Sequence, residues 1–319
     1  MAQNVQKINR YYHIDLCPGT EKPPAPSEKQ REKGDAMKKV LQIEKSREVL
    51  ILAENITYSR VGDWYDITWQ EMKLDIICPK NRVGHAAQPC IVWICGGAFI
   101  TERKDIWAPE MMYYAERGVT VALVDYRTSD KGSFPAGLAD IKTAIRFLKA
   151  HAADFCIDPD RIFTMGESAG GTLSTLAGVT AGVPEFDRGE WLEYSSAPAG
   201  AVDIYGLSDL SLSRKTSSNP DAVPSWQFTA FLGNDPKTAA EKASAVNYVN
   251  EQTCPFLILH GDIDDTVPIA QSEALYEKLR SCGVPVDFYI IEGANHGDEL
   301  IYQDEVKEKV LAFVKGFTA

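Results

Sequence analysis

The sequence predicts an α/β protein whose mostly parallel sheet is covered by helices on both faces. From about residue 56, short apolar runs rich in β-branched residues recur along the chain, and segments with helical periodicity separate several of them. Strands that alternate with helices form a parallel sheet with both faces buried. A length of 319 residues suits one large domain, or one domain with a small appendage.

The predicted strands are seven apolar runs between residues 73 and 293. They are KLDIICP (73–79), CIVWIC (90–95), VTVALVDY (119–126), RIFTMG (161–166), AVDIYG (201–206), FLILHG (256–261) and VDFYIIEG (286–293). Residues 137–155 and 298–317 carry apolar side chains at intervals of three and four positions, which predicts two amphipathic helices.

Two segments depart from this alternation. Residues 1–55 begin with the Pro-rich stretch CPGTEKPPAPSEK and continue as a charged run, predicted to be helical, to about Leu52. We predict an N-terminal extension that packs on the main body or forms a partial lid, with a solvated arm as the alternative. Residues 207–250 are rich in Ser and Pro. They are predicted to form an insertion above the sheet.

The composition argues against several classes of protein. A formal net charge of −12 disfavours binding to nucleic acid or to an anionic membrane. The N-terminus lacks the apolar stretch of a secretory signal, and the most apolar segment, CIVWICGGAFI, is far shorter than the roughly 20 residues that span a bilayer. Seven scattered cysteines and five separated histidines match neither a disulfide framework nor a metal site. The expectation is a soluble cytoplasmic protein with reduced thiols and no metal.

The segment FTMGESAGGTLS, residues 163–174, places Ser168 in a G-x-S-x-G pattern between a predicted strand and a predicted helix. Glycines at positions 166 and 170 permit the close backbone approach of a sharp, strained turn. The hydroxyl then projects above the carboxyl edge of the sheet, where ligands bind in such folds. A glycine-rich turn with a capping serine is the alternative, but the pattern favours a nucleophile.

A serine hydroxyl becomes a good nucleophile when a neighbouring base accepts its proton. His296 in IIEGANHGDEL follows a predicted strand and precedes the last helix, so it lies on a loop at the same edge of the sheet. His260 in FLILHGD is flanked by apolar residues at the end of a strand, and we predict a structural role for it. His296 is therefore the candidate base.

The base needs a carboxylate that orients it. The segment LILHGDIDDTVP offers Asp262, Asp264 and Asp265, which all follow a predicted strand and precede a predicted helix. The local pattern does not choose among the three. Each choice gives the chain order Ser, Asp, His.

Main-chain N–H groups that could hold an oxyanion are predicted at Gly97 and Ala98, which follow the strand in VWICGGAFI, and at Ala169, directly after the serine. A simple turn is the alternative for the glycine pair. Four aromatic residues are candidates for the lining of acyl or alcohol pockets, with a role in the core as the alternative: Phe99, Trp107, Tyr126 and Trp226.

Taken in order, the segments GGAF, VDYR, FPAGLADIKTAIRFLKAHAADFCIDPDRI, GESAGG, HGDIDDTVP and NHG resemble serine esterases of the α/β-hydrolase class. The chain resembles hormone-sensitive-lipase-like esterases and, more closely, bacterial acetyl- and feruloyl-esterase-like enzymes, over roughly residues 56–318. The resemblance implies an α/β-hydrolase fold with about eight strands, a catalytic domain at residues 56–319, and a small cap or insertion. The family pattern H-G-x-x-D-x-x-V-P aligns its aspartate with Asp264. Where the family carries a histidine before the glycine pair, this sequence has Cys95.

The resemblance also implies cofactor-free ester hydrolysis through an acyl-enzyme, with Ser168 as nucleophile, His296 as base and Asp264 as the orienting acid. The implied substrates are small-molecule esters with acetyl or feruloyl acyl groups, carbohydrate esters among them. An arylformamidase or a peptidase on the same fold is the nearest alternative, and a ligand-binding protein on a hydrolase scaffold is the alternative from another class. A homodimer is left open, and no nucleic-acid or membrane partner is expected.

Overall fold

The computed structural model describes residues 40–63, 65, 67–212 and 226–316. The chain divides into two units, Met1–Ser46 and Arg47–Ala319. Most of the predicted N-terminal extension, residues 1–39, lies outside the described residues, and so do the expectations of a lid or an arm there. The described residues of the first unit, 40–46, contain no helix or strand.

An eight-stranded sheet forms the centre of the second unit. Its strands are β1 (Leu50–Gly62), β2 (Trp69–Pro79), β3 (Gln88–Ile94), β4 (Thr120–Val124), β5 (Ile157–Glu167), β6 (Gly200–Ile204), β7 (Phe256–Gly261) and β8 (Val286–Ile291). Their spatial order is β1-β2-β4-β3-β5-β6-β7-β8. β2 is antiparallel to both of its neighbours, β1 and β4. The other neighbouring pairs, along the row β4-β3-β5-β6-β7-β8, are parallel. The predicted mostly parallel sheet is confirmed.

Helices cover both faces of this sheet. The α-helices among the described residues are α1 (Ala108–Ala115), α2 (Ala136–Ala150), α3 (Ala169–Val179), α4 (Trp226–Leu232), α5 (Pro236–Lys242), α6 (Ala270–Ser281) and α7 (Asp304–Gly316). Alternate residues of β3 contribute to two separate apolar clusters: Val92 and Ile94 to one, Ile91 and Trp93 to the other. All four side chains are fully buried, as expected for a central strand covered on both sides.

β1 was not predicted. It begins at Leu50, inside the run that was predicted to be helical up to about Leu52, so the end of that run is a strand instead. The pairing of β1 with β2 shifts register between Ala53 and Ile56, and Asn55 has a left-handed φ of 58°. This irregularity breaks the alternation of apolar and polar residues by which a strand is recognised in a sequence.

The segment between β6 and β7 contains α4, α5 and residues 213–225, which lie outside the described part. Phe228 and Phe231 on α4 are buried. The ring of Phe231 stacks on that of Phe99 in the loop after β3, with centroids 3.8 Å apart and planes at 16°. The predicted insertion therefore contacts the loop that carries the predicted oxyanion residues.

Candidate active site

Ser168 lies between β5 and α3 in a backbone conformation that few side chains tolerate, with φ 54° and ψ −119°. The turn is tight on both sides. A Cβ atom on Gly166 would collide with the carbonyl of Gly170, and one on Gly170 would collide with the carbonyl of Ile94. The Ser168 N–H donates to the carbonyl of Ile204 at the end of β6, 2.9 Å away. The predicted strained turn is therefore present, and it requires both glycines.

The three residues of the predicted triad lie in contact. The Ser168 hydroxyl is 3.0 Å from Nε2 of His296, and Nδ1 of His296 is 2.8 Å from Oδ2 of Asp264. The other carboxylate oxygen of Asp264 accepts hydrogen bonds from the N–H groups of Thr266 and Val267, at 2.9 and 2.8 Å. One oxygen is thus fixed by the backbone, and the second is aimed at the imidazole.

Burial alone would raise the pKa of Asp264, but hydrogen bonds from His260, His296 and the Val267 N–H outweigh it and hold the pKa well below its ordinary value. The carboxylate is therefore ionised at neutral pH. An ionised partner keeps the proton of the imidazole on Nδ1 and stabilises the imidazolium that forms when Nε2 takes a proton.

His260 is fully buried and supports the same carboxylate. Its Nε2 lies 2.9 Å from the carbonyl of Val267 and 3.4 Å from Oδ2 of Asp264. Because a carbonyl only accepts, Nε2 carries the proton, and Nδ1 accepts from the hydroxyl of Ser272 at 2.7 Å. The structure gives His260 the structural surroundings that the sequence predicted.

Asp262 and Asp265 bond elsewhere. Oδ1 of Asp262 accepts from the N–H of Gly293 at 2.6 Å. The N–H of Asp265 donates to Oδ1 of Asn295 at 3.0 Å, and the same amide oxygen accepts from the N–H of His296 at 2.6 Å. Asn295 thus joins the two loops, a role that the sequence analysis did not assign because it depends on a contact between segments about 30 residues apart in the sequence.

The loop after β3 adopts left-handed conformations at three successive residues, with φ of 128° at Gly97, 54° at Ala98 and 64° at Phe99. A Cβ atom on Gly97 would collide with the carbonyl of Thr101. Within the described part of the chain, the N–H groups of Gly97, Ala98 and Ala169 donate to no backbone or side-chain acceptor. These are the three donors that the sequence predicted for an oxyanion.

Cys95, which stands where the resembling family has a histidine, is a buried thiol. Burial raises its pKa to about 12, so it is protonated at neutral pH and is a poor base or nucleophile. Its carbonyl accepts from the hydroxyl of Tyr126 at 2.9 Å, and the next N–H, of Gly96, donates to Oε1 of Glu167 at 2.6 Å. Tyr126 and Glu167 hold this loop at its beginning.

The four predicted pocket aromatics lie in different surroundings. Phe99 and Tyr126 are buried in the apolar cluster that contains Val92. Trp107 is half-buried and stacks on Tyr302 with ring centroids 4.3 Å apart. Trp226 is 67% exposed.

Glu102, which the sequence analysis did not single out, follows the oxyanion loop. One oxygen of its carboxyl group is enclosed. Lys104 lies 3.5 Å from Asp125 and 3.6 Å from Asp75, so its charge is shared by two other carboxylates. Burial, and next the charge of Asp125, raise the pKa of Glu102 to about 9. The carboxyl is therefore protonated in the folded protein at neutral pH.

Glu102→Gln is expected to stabilise the protein increasingly as pH rises from 5 to 8. Because the folded pKa is raised, stability from this group is fully present below the unfolded pKa of about 4.3 and is lost as pH rises toward the folded value. Thermal unfolding should show a midpoint at pH 8 at least about 2–4 °C above wild type, which corresponds to roughly 1 kcal/mol in a protein of this size. The control is Glu251→Gln at an exposed turn. A difference that does not change with pH would contradict the assignment.

The helices in the described part of the chain are too short or too polar to span a bilayer. No group of three or more His, Cys, Asp or Glu side chains in the same part of the chain is arranged to hold a metal ion.

The sheet order and the strand–turn–helix at Ser168 define an α/β-hydrolase. Residues 74–279 match the model of the BD-FAE family, and the chain belongs to that family.

Among curated proteins, the chain is similar to the "Probable carboxylic ester hydrolase LipM" of Mycobacterium tuberculosis, with 30% identity over 255 residues, 77% of this chain and 56% of LipM. The chain spans about half the length of the curated relatives it matches. Among solved structures, a truncated carbohydrate esterase from gut microbiota superposes with a TM-score of 0.70 at 25% identity, covering 86% of this chain and 98% of that one. Esterase 2 of Thermogutta terrifontis in its apo form gives a TM-score of 0.67 at 27% identity, covering 84% and 96%.

Proposed function

We propose that this protein is a carboxylic ester hydrolase that works through a serine acyl-enzyme. The observation that carries the proposal is the continuous hydrogen-bonded chain from Ser168 through His296 to Asp264, with separations of 3.0 and 2.8 Å. The strained turn presents the hydroxyl at the carboxyl edge of the sheet, and the ionised carboxylate fixes the imidazole. The names of the similar proteins support the same reaction class.

In the proposed mechanism, Nε2 of His296 accepts the proton of Ser168 as the hydroxyl attacks the ester carbonyl. The carbonyl oxygen of the ester becomes an anion, and the N–H groups of Gly97, Ala98 and Ala169 stabilise it. The imidazolium then gives its proton to the leaving alcohol. A water molecule then attacks the acyl-enzyme in the same way, with His296 as the base, and the acid is released. The proposed reaction requires no cofactor.

For the alcohol part of the ester we propose a carbohydrate. A groove of about 600 Å³ is lined by Ser129, Ser133, Trp226, Thr229, Ala230, Gly233 and Asn234. An exposed indole surrounded by hydroxyl and amide groups suits a sugar ring, whose apolar face stacks on the indole while its hydroxyls form hydrogen bonds. The groove adjoins the oxyanion loop, because the N–H and hydroxyl of Ser129 both donate to the carbonyl of Phe99, at 2.7 and 2.8 Å. The acyl group is proposed to be small or aryl, of the acetyl or feruloyl type.

Kinetics on matched substrates test this proposal. The wild type is expected to hydrolyse p-nitrophenyl acetate as well as acetylated and feruloylated oligosaccharides, and to leave an arylformamide and a peptide amide unchanged. Trp226→Ala is expected to raise KM about tenfold for the oligosaccharide esters, the equivalent of roughly 1.4 kcal/mol of binding, with little change for p-nitrophenyl acetate. Trp69→Ala, at an exposed indole on β2, is the matched control. Equal effects of Trp226→Ala on both kinds of ester would contradict the proposal that the groove binds a carbohydrate. Hydrolysis of the amides alone would contradict the proposal that the protein is an esterase.

A further inference from the structure

Tyr205 occupies a strained position beside the nucleophile. It directly follows β6, is fully buried and has a left-handed φ of 43°. The preceding carbonyl, of Ile204, accepts the N–H of Ser168. Non-glycine residues in this conformation are uncommon and concentrate at functional sites. Such residues follow three neighbouring strands: Ala98 and Phe99 after β3, Ser168 after β5 and Tyr205 after β6.

The side chain of Tyr205 contacts the candidate base. Its ring lies against the imidazole of His296, with centroids 4.5 Å apart and planes at 54°. No other aromatic pairing with that imidazole occurs among the described residues. A ring in this position limits rotation of the imidazole away from Ser168.

The hydroxyl of Tyr205 joins two further groups. It lies 2.8 Å from the hydroxyl of Tyr302, and it favours the charged form of the Glu167 carboxyl group, opposing the rise in the pKa of that group. Trp107 acts on the pKa of Glu167 in the same direction, and its ring stacks on that of Tyr302. Tyr205, Tyr302 and Trp107 therefore form one connected group of side chains beside Glu167.

Glu167 connects this network to the oxyanion loop. Its Oε1 accepts the N–H of Gly96, directly before Gly97 and Ala98. Burial raises the pKa of Glu167, while the hydrogen bond from Gly96, the attraction of His296 and the polar groups of Trp107 and Tyr205 oppose that rise. The carboxyl group thus holds the oxyanion loop at Gly96 and interacts with side chains from other segments of the chain.

We propose that Tyr205 is a positioning residue that couples the orientation of His296 to the oxyanion loop through Glu167. The proposal rests on the esterase function proposed above. Its ring sets the orientation of the imidazole, and its hydroxyl favours the charged form of the carboxyl group that binds the Gly96 N–H. Both halves of the site then keep their geometry together, and small displacements at either would slow the reaction strongly.

The experiment separates the ring from the hydroxyl. Tyr205→Phe keeps the ring and removes the hydroxyl, and Tyr205→Leu removes both. Glu167→Gln and the double variant with Tyr205→Phe test the coupling. The control is Tyr58→Phe, which also loses the hydroxyl of a buried tyrosine, in this case one that donates to the carbonyl of Asp125 at 2.8 Å. Initial rates on p-nitrophenyl acetate give kcat and KM, and thermal unfolding gives the midpoint.

We expect Tyr205→Phe to lower kcat by about 10–100-fold relative to Tyr58→Phe, with KM within about threefold, and Tyr205→Leu to lower it further. The double variant should be no slower than the slower of its two single variants, because members of one network are not additive. The coupling would be overturned if the kcat of Tyr205→Phe equalled that of Tyr58→Phe, or if the losses in kcat multiplied in the double variant. Ester hydrolysis by the wild type would still support the proposed esterase function in that case. Absence of wild-type hydrolysis would overturn both.

Discussion

Replacing Ser168 with alanine is expected to abolish ester hydrolysis and leave the fold unchanged. The hydroxyl is the atom that would bond to the acyl carbon, and an alanine at this position leaves His296 with no nucleophile to deprotonate. In comparable triads the loss of the serine lowers kcat on the order of 10⁶-fold. The Ser168 hydroxyl makes no contact that the sheet needs. The turn is held by the backbone N–H of Ser168, which donates to the carbonyl of Ile204. Initial rates and circular dichroism measure the two outcomes.

A covalent label is the control for this variant. An aryl phosphonate is expected to react with the wild type at Ser168, as located by peptide mapping, and to leave the alanine variant unlabelled. Ser174 is the serine that we expect to remain unlabelled in both proteins. It lies in α3, the helix that follows Ser168, and its hydroxyl donates to the carbonyl of Val202 at 3.0 Å. Labelling at any serine other than 168, or more than a percent of wild-type hydrolysis in the alanine variant, would contradict the assignment.

The sequence allowed two members of the triad to be predicted from local patterns, but not the third. Predicted strands follow from local apolar runs, and the parallel sheet then places the ends of β5, β7 and β8 at one edge. Ser168 and His296 could therefore be recognised from local patterns alone. The choice of Asp264 could not, because it depends on the N–H groups of Thr266 and Val267, which fix one carboxylate oxygen. Only the resemblance of the H-G-x-x-D-x-x-V-P pattern pointed to it.

Tyr205 and Glu167 show why part of the site was not predicted. Tyr205 ends an ordinary apolar run, and its contacts with His296 and Tyr302 join segments far apart in the sequence. No spacing rule connects them, since their proximity follows from the order in which the strands pack. β1 was missed for a different reason, because its irregular pairing around Asn55 leaves no regular alternation in the sequence.

Asp264→Asn is expected to lower kcat by roughly 10³–10⁴-fold, as loss of the correct tautomer does in other triads. The two backbone N–H groups of Thr266 and Val267 require an oxygen at the Oδ1 position, so the amide oxygen would take that place. The amide nitrogen would then face Nδ1 of His296, which must accept instead of donate. The imidazole proton would move to Nε2, and the base could no longer take the proton of Ser168. Initial rates measured across pH, on variants with matched circular dichroism, give the effect.

The neighbouring aspartates are the controls for this prediction. The carboxylate of Asp262 accepts from the N–H of Gly293, and the exposed carboxylate of Asp265 accepts from the hydroxyl of Thr266 at 3.2 Å. Asp262→Asn and Asp265→Asn are therefore expected to stay within about tenfold of the wild-type kcat, since neither carboxylate faces the imidazole and loss of one exposed hydrogen bond acts mainly on stability. If Asp265→Asn proved the most damaging of the three in equally folded variants, the carboxylate that orients His296 would be Asp265, and the contact at 2.8 Å between Asp264 and His296 would not be the catalytic one.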